Sequence, residues 1–183
     1  MSAYLVLPGI GGSGPEHWQS RWEAAEPEMR RFAPDSWDAP QLDQWIAALD
    51  AAVAACSEAP ILVAHSLSCL LVAHWSARSD QAVRGAFLVA MPDPQGPDFP
   101  QEAASFGNPP ELFLRFPAVV VASSDDPYGP LVHSRTRARQ WGASFVEAGA
   151  LGHINAASGL GDWSRGREQL RRFEDGLTGK IED

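Results

Sequence analysis

The chain has 183 residues, 45% of them hydrophobic and 20% charged, a composition suited to a single domain over 1–183 that buries a core without disulfides or a structural metal. Its formal net charge is −9, and the basic residues stay scattered among acids until a late cluster, which argues against a phosphate-backbone footprint and so against nucleic acid. No apolar run reaches the roughly 20 residues that span a bilayer, nothing at the start reads as a secretory leader, and Cys56 and Cys69 make neither a disulfide framework nor a zinc spacing. The expectation is a cytoplasmic protein with no metal, no cofactor and no membrane partner.

The first predicted strand, AYLVLP at 3–8, runs into GIGGSGPEHW. Gly9, Gly11 and Gly14 match the G-x-G-x-x-G spacing of a dinucleotide cradle, and Asp35 lies about where a ribose-binding acid would follow. The same glycines would equally let a backbone N–H approach a developing oxyanion. A helix is expected over 15–25 and a weak strand over 29–34. The next helix, 41–56, carries Leu42, Trp45, Ile46, Leu49 and Val53 on one stripe. Strand 60–65 leads directly into helix 66–79. Strand 84–90 is followed by a Pro-rich segment, strand 117–123 by a helix over 128–141, and strand 143–148 by a loop and a last helix over 162–177. The polar end, 177–183, reads as a frayed tail. Most of these strands are apolar on both faces, as in a sheet covered on each side. The fold class is therefore α/β, a three-layer domain with a mainly parallel six-stranded sheet. In such sheets ligands sit outside the carboxyl ends of the strands.

Three of those ends carry reactive side chains. Ser66 in VAHSLSC stands where an extended run turns at once into a helical one, a turn that can lift a hydroxyl clear of the sheet beside the first free N–H groups of the helix. The flanking positions are Ala64 and Ser68, so G-x-S-x-G has become A-x-S-x-S. Asp126 in SSDDPYGP and His153 in GALGHIN follow the fifth and sixth predicted strands. Taken singly, Ser66 and Asp126 read as helix caps and His153 as an exposed loop residue. Together their chain order, Ser then acid then His, is that of the α/β-hydrolases. A serine hydroxyl needs a base to take its proton, which His153 would supply, and Asp126 would hold the imidazole in the required tautomer.

The stretches LPGIGGSGPEHWQSRWE, DSWDAPQLDQWIAALDAAV, AHSLSC, LVAMPDP, SSDDPYGP and GHIN resemble the small YdeN-like serine hydrolases, the group that includes the retinoblastoma-binding serine hydrolase of animals. The resemblance spans nearly the whole chain. It implies a minimal hydrolase with an open site, its nucleophile on Ser66, its acid on Asp126 and its base on His153. Asp125 is the neighbouring carboxylate to consider beside Asp126. Ser68 departs from the group, which usually has glycine there.

On this reading the opening loop is an oxyanion loop rather than a dinucleotide cradle, with the N–H groups of Leu67 and Ile10 as donors and Gly9 allowing close approach. His17 and Trp18 are candidates to line or support the site, and His65 to shape the turn at Ser66. His74 and His133 are expected at the surface, Cys69 in the core, and the arginines of SRTRARQ on a solvated helix face. The expected activity is hydrolysis of small carboxylic esters or amides through an acyl-enzyme. The alternative is a hydrolase fold used to bind a protein partner, with weak or vestigial catalysis, for which Ser68 is the foothold. Nothing in the sequence names a protein partner.

Overall fold

The structure, a computed structural model, describes residues 4–179. Strands β1 (Tyr4–Leu7), β2 (Met29–Arg31), β3 (Ile61–His65), β4 (Gly85–Val89), β5 (Ala118–Ala122) and β6 (Ser144–Glu147) form one sheet in the order β2-β1-β3-β4-β5-β6. Every pairing is parallel, so the sheet is parallel throughout the described residues. The helices are α1 (Trp18–Ala25), α2 (Leu42–Ala54), α3 (Leu67–Ser76), α4 (Leu131–Gln140) and α5 (Ser164–Thr178).

Side chains alternate across a strand, so each strand feeds two cores. Leu5, Leu62, Ala64, Leu88 and Val120 face a layer built with α2, α3 and α4, where Trp45, Leu49, Leu70 and Trp141 are buried. Val6, Val63, Phe87, Val89 and Val121 face the other layer, where α1 and α5 contribute Trp18, Trp22 and Leu170. Strands buried on both faces have no polar stripe, which is why their sequences read as unbroken apolar runs.

α3 is buried at every position from Leu67 to Ser76. It lies against the sheet under α2 and the turn at Gln101–Phe106, so it carries no solvated face. That corrects the placement of His74, which is buried with Nε2 donating to the Phe106 carbonyl at 3.2 Å. His133 is also no surface residue: it is half-buried, with Nδ1 3.3 Å from the Asp93 carboxylate. Of the SRTRARQ arginines, Arg135 and Arg139 are exposed, whereas Arg137 is half-buried and pairs with Glu111. Cys69 is buried, and burial pushes its thiol pKa well up. Leu177, expected both to end the last helix and to begin the tail, lies in α5 and packs on the core, and Thr178, expected in the tail, closes that helix; 180–183 lie outside the described residues.

The chain runs outward from β1 to β2, then returns across β1 to β3 and continues the opposite way. The carboxyl ends of β1 and β3 therefore flank a topological switch point, where open α/β sheets form a crevice.

Candidate active site

Ser66 leaves β3 with φ 55° and ψ −125°, a conformation L residues rarely adopt. Holding it costs on the order of 1–3 kcal/mol, which the surroundings must offset. They do so by fixing both sides of the turn: the Ser66 N–H donates to the Val89 carbonyl at 2.9 Å and its own carbonyl accepts from Cys69 N–H at 2.9 Å. The cap expected of a helix-starting serine is not made, because its hydroxyl does not bond the first turn of α3. The hydroxyl is instead 2.9 Å from His153 Nε2.

His153 Nδ1 lies 2.9 and 3.0 Å from the two oxygens of Asp126. A carboxylate facing Nδ1 requires the proton there, leaving Nε2 free to accept from Ser66. Asp126 is buried and also accepts from Tyr128 N–H at 2.9 Å, so it serves as a turn former and as the partner of His153 at once. The two readings of that residue were not exclusive. Ser66, Asp126 and His153 thus meet in one hydrogen-bonded line at the carboxyl end of the sheet.

The His153 loop is held from beneath and from its flank. His65 Nε2 donates to the His153 carbonyl at 2.9 Å, and Trp18 Nε1 donates to the Ile154 carbonyl at 2.8 Å. Trp18 is buried and is not on the cleft wall, so it supports the site rather than lining it. Burial drives the pKa of His65 well below its ordinary value, reinforced by His17 and His153. His17 caps α1, its Nδ1 accepting from Gln19 N–H at 3.2 Å, and packs edge-on against His65 with ring centroids 4.6 Å apart. Burial, helped by Arg31 and His153, pushes the His17 pKa down to about 4. Both rings stay neutral at neutral pH. They add no positive charge beside the imidazole of His153.

Further contacts around His153 come from Tyr128 and Ser123, which the sequence does not single out, and from Asp125 in a role other than the one considered for it. The Tyr128 ring packs on His153 with centroids 4.6 Å apart. Asp125 does not bond His153; its Oδ1 accepts from the Ser123 hydroxyl and from Gly152 N–H, both at 2.7 Å, while the Ser123 oxygen accepts from Leu151 N–H at 2.9 Å. These donors, Ser123 first, hold the Asp125 carboxyl below the usual carboxylate range. The doubled acid in SSDDPYGP was the available signal, since one carboxylate faces the imidazole and the other braces its loop.

Opposite Ser66 lies the opening loop. A Cβ at Gly9 would stand 2.9 Å from the Ser66 Cβ and 3.3 Å from the His65 carbonyl oxygen, so glycine is what lets the two segments touch. Gly11 N–H is committed to the Trp37 carbonyl and Gly12 N–H to that of Gly9, each at 3.1 Å. The N–H groups of Ile10 and of Leu67, the first residue of α3, take no acceptor among the described residues. Asp35 is exposed beyond β2 and off the cleft wall. The cleft over Ser66 and His153 has a volume of about 520 Å³, with Ile10, Leu67, Pro92, Phe99 and Tyr128 among its apolar walls and Glu102 at its edge. Among the described residues no group of three or more His, Cys, Asp or Glu is placed to hold a metal ion, and no helix is long and apolar enough to cross a membrane.

A covered parallel sheet with a serine, a histidine and an acid converging at its carboxyl rim is the architecture of an α/β-hydrolase enzyme. The chain belongs to the serine hydrolase family, whose model matches residues 4–172. It is similar to a YdeN-like hydrolase from Pectobacterium atrosepticum, at 29% identity and a TM-score of 0.87, with 97% of this chain and 92% of that one covered. The ydeN gene product of Bacillus subtilis shares the fold at 20% identity and a TM-score of 0.78, with 96% of this chain and all of that one covered. So does a monoacylglycerol lipase of Paleococcus ferrophilus, at 14% identity and a TM-score of 0.67, with 96% and 93% covered. No curated protein matches the chain.

Proposed function

We propose that this hydrolase cleaves small carboxylic esters or amides through an acyl-enzyme on Ser66. The observation that carries the reading is the unbroken hydrogen-bonded line from Ser66 Oγ through His153 to Asp126. As Oγ bonds to the substrate carbonyl carbon, its proton passes to His153 Nε2 and the carbonyl electron pair moves onto oxygen. The N–H groups of Leu67 and Ile10 would receive that oxyanion. Collapse expels the alcohol or amine, which takes the proton from His153. Water then adds by the same path, the acid leaves, and the Ser66 hydroxyl is restored. Asp126 keeps the proton on Nδ1 and stabilises the transient imidazolium.

The volume of the cleft, about 520 Å³, lies within the range for small-molecule sites, and its apolar walls suit an uncharged acyl group. Residues 1–183 are taken as one hydrolase domain, since every described strand belongs to one sheet. Two free thiols fit a reducing cytoplasm.

A fluorophosphonate probe should label the wild type and not Ser66→Ala, and the variant should hydrolyse a short p-nitrophenyl ester about 10⁴-fold or more slowly. Equal labelling of the two proteins would refute the assignment.

A further inference from the structure

The serine at the position where the resembled group usually has glycine is completely buried, and its hydroxyl donates to the Pro8 carbonyl at 2.6 Å. That bond leaves α3 two residues after Ser66 and lands on the last residue before the Gly9–Gly12 loop. We propose that Ser68 is a positioning residue, which fixes the height and tilt of the oxyanion loop over Ser66 through the Pro8 carbonyl. The proposal rests on the reading of Ser66 as nucleophile.

The mechanical path is short. β1 ends at Leu7, so the Pro8 carbonyl lies past the sheet ladder and its acceptor needs a donor from elsewhere. The preceding carbonyl, that of Leu7, accepts from the buried Gln19 side chain at 3.3 Å. Two buried polar side chains, Gln19 and Ser68, thus hold two consecutive peptide planes at the start of the loop. Turning the Pro8–Gly9 plane would swing the next N–H, that of Ile10, because glycine gives no side-chain resistance at position 9. The Gly9 backbone is already in contact range of Ser66, so a shift of the loop has little room except away from the nucleophile. A glycine at position 68 would leave the Pro8 carbonyl without this donor in a site water does not reach. The side chain that departs from the usual elbow therefore ties the two oxyanion donors, Leu67 and Ile10, to one rigid unit.

The test compares Ser68→Ala, Ser68→Gly and Ser66→Ala with the wild type on a short p-nitrophenyl ester and a trifluoromethyl ketone, whose serine adduct carries an oxyanion. A Leu49→Ala variant, altered in α2 away from the site, serves as a control for destabilisation alone. Ser68→Ala and Ser68→Gly should lower kcat about 10- to 100-fold, leave KM within about twofold, and weaken the ketone by a similar factor. Leu49→Ala should lower the melting temperature and leave kcat in place. Unchanged kcat in both Ser68 variants, or a kcat loss that Leu49→Ala reproduces, overturns the positioning role. If Ser66→Ala is inactive and the Ser68 variants are not, the positioning role alone fails; if Ser66→Ala still turns over, the nucleophile assignment fails.

Discussion

The turn at Ser66 and the loop at His153 meet across 2.9 Å, yet they are held in opposite ways. Ser66 stands between a strand and a helix that are buried at every position, and apolar packing together with two backbone hydrogen bonds locates its backbone. His153 sits on a loop outside any regular element, held by donors from the His65 and Trp18 rings and by the Ser123 and Asp125 oxygens, which accept from its Leu151 and Gly152 N–H groups. The proposed nucleophile is positioned by packing and backbone bonds, the proposed base by side-chain polar contacts. Damage to the first should show as lost stability, and damage to the second as lost turnover in a folded protein.

The largest effect should come from the line itself. Asp126→Asn keeps the shape but favours the wrong tautomer of His153, and should lower kcat about 10⁴-fold with little change in melting temperature. Parity with the wild type would detach the acid from the chemistry. On the packing side, Leu70→Ala empties a fully buried site in α3 and should cost about 2–5 kcal/mol in urea unfolding, with kcat near normal in the fraction that stays folded. A variant as stable as the wild type would show that packing does not locate the turn.

A third experiment reads the buried imidazoles between the two regions. His17 titrates at about 4 when folded and near 6.5 when unfolded, so below pH 6.5 the unfolded chain takes a proton that the folded one refuses. Stability from this residue is complete above pH 6.5 and is lost as pH falls towards 4, in all roughly 3 kcal/mol. His65, lowered in the same direction, steepens the loss. Replacing His17 with Gln should flatten the acid limb of a melting-temperature profile, and an unaltered limb would rule out His17 as its source. The smallest effect should be that of Asp125→Ala, which frees Gly152 N–H and the Ser123 hydroxyl. It should lower kcat about 10-fold with nearly unchanged melting, as loosening of a loop that bears the proposed base would; a stability loss without a kinetic one would assign Asp125 to the fold alone.

Much of this was legible in the chain because parallel strands buried on both faces leave no ambiguity in their apolar runs. The strand ends at Leu7, His65 and Ala122 fall within a residue or so of the predicted ones, as does the end of the partly exposed edge strand β6 at Glu147, and the loops bearing Ser66, Asp126 and His153 follow from them. What was hidden depended on which distant segment covers a side chain. His74 looks like a polar break in a helix, and only the turn at Gln101–Phe106 laid over α3 buries it. Trp18 reads as lining or supporting the site, and only the packing, with its indole reaching to Ile154, shows that it supports. The Ser123–Asp125–Gly152 contacts join two loops that no local pattern links. Ser68 looked like a defect for the same reason, its acceptor being the carbonyl at the end of β1.

The positive φ of Ser66 has a consequence for engineering heat resistance into this molecule. Glycine at that one position would relax the backbone, which should raise the melting point, yet it would remove the hydroxyl proposed to react. On the proposed mechanism the chain therefore holds in reserve a thermal gain it can realise only by giving up its chemistry, so a search for hardier variants scored on melting alone would be drawn towards an inert protein.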